Sequence, residues 1–502
     1  MGDCLKVRAF CCRAGSSNPG RSLMRSLESP EAARNKARRQ KLLSFPDTDA
    51  GNAEAFELLH GDRFRYDHSK RKWFVWNGRY WTEDRDDEAD RAALLTARAR
   101  RSAAASIADH DEANERIKWA MQSESVWRRE AMLKSACSIR SLATTTPDFD
   151  HDSMLLTVGN GTLNLKSGRL REARPEDLIT RATPIDFDSS AECPRWQKFL
   201  EEVFAGDREL IDFIQRAVGY SLTGDTREQC LFVLHGGGAN GKSTFLETIR
   251  KLLDGHVVAT PFSTFMVHSN QNVPRNDLAA LHGARLVLAS EVGHKARFDE
   301  SVVKRVTGQD TISCRYLYGE FFEYKPQFKI WLATNYKPLI QGTDVAIWRR
   351  IRLIPFTQQF DGDKADRTLL EKLEAELSGI LAWAVAGCLA WVGHGLGNAR
   401  TVEAATQEYK KESNQFGRFI GERCVRGKQH RAPGKRLYEA YLEWCLESGE
   451  KPASNPAFAA ALIERDINKT RGRKGVVYQG VGLVPTVLRS SVVPLLPKEK
   501  SE

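Results

Sequence analysis

The spacing of apolar residues predicts an α/β protein in which strands and helices alternate. Short apolar runs, typical of buried strands, lie at 230–234, 283–291 and 329–335. Apolar residues at three-and-four spacing, typical of amphipathic helices, lie at 88–109, 111–140 and 193–224. The region 226–392, which holds all three strand runs, is therefore expected to be an α/β domain.

Two Asn-Gly pairs between apolar runs predict hairpins earlier in the chain. Asn77-Gly78 interrupts the aromatic stretch KWFVWNGRYW, and Asn160-Gly161 interrupts MLLTVGNGTLNLKSGRL. Asn-Gly at such a place favours a type I′ turn. The aromatic residues of the first stretch could pack in the core of a small sheet or stack on nucleic-acid bases. The acidic run that follows, TEDRDDEAD, is more typical of a solvated loop and a first helical turn than of a metal site.

The positive charge of the chain is concentrated at its beginning. Residues 1–44 carry ten Lys and Arg against three acidic residues, so they hold +7 of the net charge of +10. This composition predicts a basic disordered tail with nonspecific affinity for phosphate. A nuclear or organellar targeting signal around RNKARRQK is the alternative interpretation.

Cysteine usage and hydropathy indicate the compartment. The ten cysteines are scattered without paired CxxC spacing, which argues against zinc ribbons and a disulfide framework and fits a reducing cytosol. No segment approaches 18 consecutive apolar residues, so no membrane span is expected. A cytoplasmic protein is the resulting prediction.

A glycine-rich turn, GGGANGKS, follows the first strand run and matches the phosphate-loop pattern GxxxxGK[ST]. Its glycines let backbone N–H groups turn inward around a polyphosphate, and the helix that begins near Lys242 directs its positive end at the same charge. Lys242 can reach the β- and γ-phosphates, while the Ser243 hydroxyl can bind Mg²⁺. The predicted ATP-binding residues are Gly236, Gly237, Gly238, Ala239, Asn240, Gly241, Lys242, Ser243 and Thr244.

The other parts that ATP hydrolysis needs follow in order. Glu291 ends the second strand run, where a carboxylate can polarise water beside Mg²⁺, although an ordinary polar residue after a strand looks the same. Asn335 ends the third run, where its amide can contact the γ-phosphate and the attacking water. Arg349 and Arg350 then stand in VAIWRRIRLIPF; an arginine offered to a neighbouring subunit stabilises transition-state charge, and DNA-backbone contact is the alternative.

This ordered set resembles superfamily 3 helicases, and more narrowly the helicase half of phage and plasmid primase-helicases related to the poxvirus-type replicative helicase. The resembling stretches are GGGANGKST, NDLAALHGARLVLASE, VTGQDTISCRYLYGE, KPQFKIWLATNYKP and DVAIWRRIRLIPF, with NGTLNLKSGRL, EDLIT and GYSLTGDTREQ upstream. The resemblance covers about 150–485 and implies an AAA+ motor, assembled as a hexameric ring, that uses ATP and Mg²⁺ to move 3′ to 5′ along one DNA strand.

Carried over to this chain, the resemblance implies a role for each matching residue. Lys242 and Ser243 become the phosphate-loop pair, Glu291 the Walker B acid and second Mg²⁺ ligand, and Asn335 the sensor. Arg350, or else Arg349, becomes the arginine finger. Many relatives carry two acidic residues at the Walker B end, whereas Ser290 precedes Glu291 here.

DNA contacts are expected at two places. In superfamily 3 rings a hairpin before the sensor strand lines the pore, and its counterpart here is TISCRYLYGEFFEYKPQFK, with a tip near 316–320. Its candidate DNA-binding residues are Arg315, Tyr316, Tyr318 and Lys325, although the tyrosines could instead pack between subunits. The second place is a basic loop resembling the wing of a winged helix, with Arg471, Arg473 and Lys474; a plain solvated turn is the alternative.

The resulting domain prediction has six parts, and the fold class is an α/β AAA+ P-loop motor with helical or α+β N-terminal domains and a C-terminal winged helix. The parts are a basic disordered tail (1–44), an N-terminal α+β or helical domain (45–150), a pre-motor domain (151–225), the motor (226–392), a winged-helix-like domain (400–485) and a tail (486–502). The segment before 150 is short for a primase domain and shows no convincing DxD pair on a strand. The prediction therefore leaves room for a separate primase or polymerase as a partner.

The leading functional hypothesis is a replicative DNA helicase of a phage, plasmid or integrated element, acting on single-stranded or forked DNA. Two alternatives remain open: an AAA+ initiator that melts an origin, and a DNA-binding scaffold that uses ATP only for assembly. Lys242, Glu291 and Arg350 together disfavour the scaffold. Strand displacement on a forked substrate would separate the helicase from the initiator.

Overall fold

The computed structural model describes residues 30–267, 275–290, 297–317, 319–340, 345–362, 365–450, 452–463, 465–472 and 475–484. The chain divides into two compact units. One contains Met1–Val75 and Glu83–Thr144, and the other contains Trp76–Thr82 and Thr145–Glu502.

The first unit is mainly helical. Its helices are α1 (Pro30–Ser44), α2 (Asp49–His60), α3 (Glu88–Ala104), α4 (His110–Gln122) and α5 (Val126–Ala136). Strand β1 (Phe64–Asp67) pairs antiparallel with β2 (Lys72–Trp76) and parallel with the short β4 (Ala143–Thr144). Strand β3 (Trp81–Glu83) is next to β2 in the same sheet, and its first two residues belong to the second unit. Aromatic and aliphatic side chains from α2, β1 and α5 form the core of this unit, among them Phe56, Phe64 and Met132.

Two predictions for this part of the chain are wrong in detail. Residues 30–44 of the expected disordered tail form α1, with Leu42 buried and Arg38 Nη2 donating to the Leu59 carbonyl at 3.1 Å. Residues 1–29 lie outside the described residues. The helix expected at 111–140 divides into α4 and α5 at Ser123, whose buried hydroxyl accepts a hydrogen bond from Asn52 Nδ2 at 2.9 Å.

Both predicted turns occur, but neither has the expected two-residue Asn-Gly form. Residues 77–80 separate β2 from β3, and the Asn77 side-chain oxygen accepts hydrogen bonds from the backbone N–H groups of Arg79 and Tyr80 at 2.9 Å. In the second unit β5 (Leu155–Val158) pairs with β6 (Gly161–Asn164), so the turn is Gly159-Asn160. The Asn160 side chain holds the backbone of Phe187 through two bonds of 3.0 Å. Strand β7 (Arg169–Arg171) completes this small sheet.

The second unit is built on a five-stranded parallel sheet. Its strands are β8 (Leu231–His235), β9 (Val257–Pro261), β10 (Leu286–Ser290), β13 (Lys329–Thr334) and β14 (Ile351–Pro355), in the spatial order β14-β8-β13-β10-β9. Most residues of β8, β10 and β13 are buried, as expected for parallel strands covered on both faces. Strand β13 lies between β8 and β10, so the carboxyl ends of these three strands are neighbours.

Helices cover the sheet and position the strand ends. They include α6 (Pro194–Val203), α7 (Arg208–Leu222), α8 (Lys242–Leu253), α12 (Leu369–Glu374) and α13 (Leu377–His394). Gly219 lies inside α7, and a Cβ there would stand 2.1 Å from the backbone nitrogen of Cys388 on α13. The close crossing of α7 and α13 therefore requires this glycine.

One helix of the described residues, α13, is long and apolar enough to cross a membrane by length and composition alone. Its Ile380, Ala384 and Trp391 are buried in the same hydrophobic core as α7 and β8. This burial is what a core helix of a folded unit shows, so the apolar composition of α13 has a packing explanation.

Two buried cations fix α7 to the amino ends of the sheet strands. Arg285, just before β10, donates from Nη1 to the Leu222 carbonyl at 2.7 Å, and Lys329, the first residue of β13, donates to the Thr223 carbonyl. These carbonyls end α7, where the helix dipole favours positive charge. Burial nevertheless lowers the pKa of both groups, that of Arg285 to about 10.

Between β10 and β13 the chain leaves the sheet and returns to it. Helices α9 (Asn276–Ala279) and α10 (Glu300–Thr307) flank β10, and a hairpin of β11 (Ile312–Arg315) and β12 (Phe321–Tyr324) leads into β13. The short α11 (Val345–Trp348) precedes β14. The predicted hairpin and its tip at 316–320 are therefore confirmed.

The last part of the second unit combines helices with a three-stranded sheet. Helix α14 (Arg400–Ser413) contacts β14, where Thr406 Oγ1 accepts from the Leu353 N–H at 3.1 Å. It is followed by α15 (Gln415–Arg423), β15 (Cys424–Pro433), α16 (Gly434–Glu447), α17 (Asn455–Ile463), β16 (Asn468–Gly472) and β17 (Gly475–Leu483). The strands lie in the antiparallel order β15-β17-β16 around a core that contains Phe419, Tyr441 and Phe458.

Candidate nucleotide-binding site

The predicted phosphate loop lies between β8 and α8, at the carboxyl edge of the parallel sheet. Gly236 follows β8 directly, and a Cβ there would stand 2.2 Å from the Phe356 carbonyl oxygen. Gly241 precedes α8 with φ of +88°, in the left-handed region that favours glycine. Gly238 has no atom within 4 Å of a hypothetical Cβ. The outer glycines are thus required by the fold, whereas Gly238 leaves open space for a ligand.

The Lys242 ammonium group is bound by its own loop. Nζ donates to the carbonyl oxygens of Gly236 at 2.9 Å and Gly237 at 2.8 Å, and to Asn240 Oδ1 at 2.9 Å. Burial lowers the pKa of Lys242 from its ordinary value. Lys242 has to exchange these three acceptors for phosphate oxygens when it binds a nucleotide, since an ammonium group has three protons to donate.

Asn240 connects the loop to the segment after β14. Its side chain is buried, and Nδ2 donates to the Phe356 carbonyl at 3.2 Å while Oδ1 accepts from Lys242. The Phe360 N–H also donates to the Ala239 carbonyl at 2.7 Å. The sequence pattern places no requirement on these four middle positions of the loop, so this connection could not be predicted from it.

The neighbouring strand ends bring polar groups to the same edge. Thr334, at the end of β13, pairs with His235, and Asn335 follows it with an exposed side chain beside the start of the loop. Ala333 pairs with Ser290, the last residue of β10. Glu291, predicted as the Walker B acid, lies outside the described residues.

A cavity of about 460 Å³ opens at this edge of the sheet. Its lining includes Ser243 on the first turn of α8, Thr260 and Pro261 at the end of β9, and Ser290. Ser243 is exposed, so its hydroxyl is available as a ligand for the Mg²⁺ predicted there. Among the described residues there is no cluster of three or more His, Cys, Asp or Glu that would hold a metal without a nucleotide. The donor set fits a cation that is bound largely through phosphate oxygens.

The two candidate arginine fingers have different environments. Arg350 is 7% exposed; its Nε donates to Thr307 Oγ1 at 3.2 Å and its Nη1 to the Ala346 carbonyl at 2.7 Å. Arg349 is exposed, and its Nη2 contacts Gln229 Oε1 at 3.2 Å. The guanidinium group of Arg350 is thus bound to its own chain, whereas that of Arg349 lies at the surface, which makes Arg349 the better candidate for a contact with another copy.

The position of Arg349 excludes a role at the site of its own chain. Arg349 precedes β14, which runs parallel to β8, whereas the phosphate loop follows β8. The five residues of a strand separate the two ends of this pair by about 16 Å at ~3.3 Å per residue. Arg349 therefore lies near the opposite edge of the sheet from Lys242.

The β11–β12 hairpin presents more apolar surface than the sequence predicted. Arg315 lies over the ring of Phe321, 4.9 Å from its centroid, and Phe321 is 69% exposed. Tyr316 is exposed but donates its hydroxyl to the Ala279 carbonyl at 3.0 Å, and its ring stacks on Phe322. Phe321 was not among the predicted DNA-binding residues. Its position next to the hairpin tip, opposite Arg315 in the strand register, could have identified it.

The remaining predicted DNA-binding residues are dispersed. Lys325 is exposed but follows β12, so it lies at the base of the hairpin and away from the tip. Arg471 is exposed on β16 near the β16–β17 turn. Tyr318 at the hairpin tip, and Arg473 and Lys474 in the β16–β17 turn, lie outside the described residues.

Three family models match consecutive parts of the chain. The model described as D5 N terminal like matches residues 53–205, a family of unknown function matches residues 234–350, and a model described as poxvirus D5 protein-like matches residues 411–470. The second of these matches covers the phosphate loop, the hairpin and Arg349.

Several curated viral proteins are similar to this chain. A helicase candidate of Acanthamoeba polyphaga mimivirus is 28% identical over 322 residues, which is 59% of this chain and 33% of that protein. A helicase candidate of Frog virus 3 is 24% identical over 390 residues, covering 59% of this chain and 40% of that protein. Primase D5 of fowlpox virus is 28% identical over 146 residues, covering 28% and 18%. Among solved structures, the NrS-1 C-terminal region aligns with 86% of this chain and 100% of that chain, at 11% identity and a TM-score of 0.49.

D5-type matches lie on both sides of the phosphate loop, the strand ends and the hairpin. Together with the similar viral proteins, they support a relationship between this chain and the D5-type superfamily 3 helicases. It spans only about a third to two fifths of the length of the viral helicase candidates described above.

Proposed function

We propose that this protein is an ATP-dependent DNA helicase motor of the AAA+ type, which works as a ring of identical copies during DNA replication. The observation that carries the proposal is the order β14-β8-β13-β10-β9, which places β13 between the phosphate-loop strand and β10. With this order a sensor residue after β13 and an acid after β10 both adjoin one bound nucleotide. Similarity to the D5-type proteins supports the same activity.

At the nucleotide site, the chain's own groups divide the work. Backbone N–H groups of 236–241 and the N-terminus of α8 bind the phosphates, and Lys242 leaves its loop acceptors to neutralise the β- and γ-phosphates. The exposed Ser243 hydroxyl is the ligand for Mg²⁺, which supplies charge neutralisation to the phosphates when bound. Asn335 orients the attacking water, and Glu291, from its sequence position alone, is the group that polarises it.

Catalysis by one copy requires the next. Arg349 is exposed near the opposite edge of the sheet from Lys242, so it reaches only the nucleotide of a neighbouring copy. An arginine supplied in this way stabilises the charge of the transition state and contributes on the order of 10³–10⁵ in rate. A closed ring, with a hexamer as the expected number, gives every site a neighbour.

DNA engages the β11–β12 hairpin in this proposal. Arg315 provides charge for the phosphate backbone, and the exposed rings of Phe321 and Tyr316 provide surfaces on which bases or sugars stack. A single strand, or the single-stranded arm of a fork, is the substrate, with 3′ to 5′ movement expected from the family. The element order α15-β15-α16-α17-β16-β17 supports a winged helix, which would contact DNA outside the ring.

The proposal is tested by measuring ATP hydrolysis with and without single-stranded DNA, together with particle mass in the presence of nucleotide. The expected result is DNA-stimulated hydrolysis by a multi-copy particle, unwinding of a forked duplex, and a loss of turnover of about a hundredfold or more in Lys242→Ala. Hydrolysis that persists in Lys242→Ala would mean that the site is elsewhere. A particle that remains a single copy with ATP and DNA both present would contradict the ring.

A further inference from the structure

A strongly basic surface on β15 and the start of α16 has no part in the motor described above. Between Arg426 and Arg436 the chain carries five Lys and Arg and no acidic residue. All five are exposed: Arg426, Lys428, Arg431, Lys435 and Arg436. This set, called the β15 basic surface below, was not predicted from the pattern of strands and helices.

The backbone of β15 is bulged where these cations are concentrated. Arg426 pairs with Val481 and Arg431 with Gln479 on β17, so four residues, 427–430, lie opposite the single residue Gly480. The extra residues carry Lys428 away from the regular ladder. Bulges that direct side chains away from a sheet are common beside functional surfaces.

The cations of the β15 basic surface differ from others in the same small subdomain. Arg418 and Arg423 on α15 form ion pairs with Glu450 and Glu447. In the part of the chain that the structure describes, Lys428, Arg431 and Arg436 have no ion-pair partner. Lys435 and Arg436 also stand in the first turn of α16, where the helix dipole disfavours positive charge. Lys435 forms an ion pair with Glu439 on the same helix at 3.9 Å. Arg436 has no such partner among the described residues, so its charge is available to an external anion.

The alternative DNA-reading element of this subdomain, α17, is poorly suited to phosphate contact. In a winged-helix arrangement the second helix after the first strand, here α17, would enter the major groove. Within Asn455–Ile463 the only polar side chain is Asn455, and there is no cation. Phosphate contacts supply most of the affinity of proteins for DNA, so α17 lacks the groups that would hold a duplex.

The β15 basic surface also lacks the groups that favour single strands. Single-stranded DNA is bound by stacking of bases on aromatic rings, but 424–436 contains no Phe, Tyr or Trp. We propose that the β15 basic surface, and not α17, binds the phosphate backbone of duplex DNA through Lys428, Arg431 and Arg436. The β15 basic surface adds a second DNA-binding surface to the proposed motor. Duplex binding is measured without nucleotide, so that this assignment and the proposed motor can each be contradicted independently.

The test measures the affinity of the full chain for a blunt 30-base-pair duplex by fluorescence anisotropy. The titrations are made over a range of salt concentrations and without ATP. The triple variant Lys428→Gln, Arg431→Gln, Arg436→Gln is compared with Lys166→Gln, Arg169→Gln, Arg174→Gln, which removes the same charge from exposed positions around β7. The first triple is expected to bind at least tenfold more weakly at 0.1 M salt. Its log–log salt slope is expected to fall by about 2.7, at ~0.9 for each phosphate that the protein no longer neutralises. The control triple and Asn455→Ala are expected to stay within twofold of the unmodified chain.

Three results would overturn the assignment. Equal decreases in duplex affinity in the two triple variants would show that only net charge matters. A decrease in the affinity of Asn455→Ala, with none in the first triple variant, would assign duplex binding to α17. Competition by polyglutamate at equal charge concentration would show a surface without preference for DNA. ATP hydrolysis stimulated by single-stranded DNA should persist in the first triple, and its absence from the unmodified chain would count against the motor and leave the duplex result intact.

Discussion

Arg349 and Arg350 are adjacent in the chain but face different surroundings. The Arg349 side chain is exposed beside Gln229, whereas the guanidinium group of Arg350 is buried between α10 and α11, where it donates to Thr307 and Ala346. The two side chains carry the same charge, so only the fold distinguishes a group available to another molecule from one that holds α10 and α11 together.

This contrast predicts opposite effects of the two alanine substitutions. Arg349→Ala is expected to leave the melting temperature and ATP affinity nearly unchanged and to lower turnover by about a thousandfold, the low end of what an arginine finger contributes. Arg350→Ala is expected to lower the free energy of unfolding by about 2–4 kcal/mol, because it removes hydrogen bonds from a buried charged group. Thermal unfolding and ATPase assays on both variants separate the two effects.

Mixing experiments test whether Arg349 acts between copies. In a mixture of Arg349→Ala with Lys242→Ala, hybrid interfaces combine an intact loop from one copy with an intact arginine from another, so some activity should return. Activity that stays at the level of the two separate variants, in particles shown by mass to be mixed, would argue that Arg349 is not shared.

The phosphate-loop glycines are expected to differ in their tolerance of a methyl group. A Cβ at Gly236 would overlap the Phe356 carbonyl oxygen at 2.2 Å and Asn240 Nδ2 at 2.4 Å, whereas a Cβ at Gly238 meets nothing within 4 Å. Gly236→Ala should therefore lower the free energy of unfolding by about 1–3 kcal/mol through overpacking. Gly238→Ala should leave the free energy of unfolding within about 0.5 kcal/mol of that of the unmodified chain, as measured by chemical denaturation. Equal effects of the two substitutions would show that the loop does not have this packing.

A substitution beside the hairpin tip is expected to weaken binding of single-stranded DNA and to leave ATP hydrolysis without DNA unchanged. Phe321→Ala removes an exposed ring that is held under Arg315, so it should weaken single-strand binding by about 1–3 kcal/mol if a base stacks there. The ATPase rate without DNA should not change. Trp127→Ala is the matched control, since Trp127 is 64% exposed in the other unit. A comparable decrease in the control would point to general surface effects.

His256 is expected to make the stability of the second unit sensitive to acid. Its ring is buried, both ring nitrogens lack hydrogen-bond partners among the described residues, and burial together with Arg285 and Arg181 lowers its pKa well below 6.5. As the pH falls below about 6.5, the unfolded chain takes up a proton that the folded chain does not, so the free energy of unfolding decreases.

The size of this effect follows from one proton per molecule. Between pH 6.5 and 5.0 the decrease is about 2 kcal/mol, at ~1.36 kcal/mol per pH unit, and above about pH 7 it disappears. Urea denaturation of the unmodified chain and of His256→Leu, at pH 7.5 and 5.0, gives the difference directly. Identical acid sensitivity in the two proteins would mean that His256 is protonated in the folded state.

Much of the nucleotide site could be predicted because its parts are local in sequence. The order of strand, glycine-rich loop and helix fixes the environment of Lys242 and Ser243, and a polar residue after a buried strand, such as Asn335, must lie at the edge of the sheet. Each of these inferences needs only a few consecutive residues. The hairpin at 312–324, in contrast, was predicted from the resemblance to superfamily 3 helicases.

Features that depend on distant parts of the chain could not be predicted. The availability of Arg349 and the burial of Arg350 depend on where Thr307 packs, and the turn at Gly159-Asn160 depends on the bonds between Asn160 and Phe187. The need for glycine at position 219 could not be predicted either, because Cys388, whose backbone nitrogen lies close to it, is far away in sequence. The basic residues of β15 are also typical of a solvated edge strand. Only the bulge opposite Gly480 distinguishes β15 from such a strand, and the sequence does not show it.

The place of β12 immediately before β13 has a mechanical consequence. Only four residues separate Tyr324 from Lys329, and β13 is bonded along its length to β8 and β10. A force on the hairpin along β13 meets no flexible linker. The force must therefore break the hydrogen bonds of β13 to β8 and β10 or displace Asn335 at the other end of the strand. In the proposed motor, force on DNA at the hairpin is therefore coupled to the state of the nucleotide beside Asn335 through β13, a single strand of six residues.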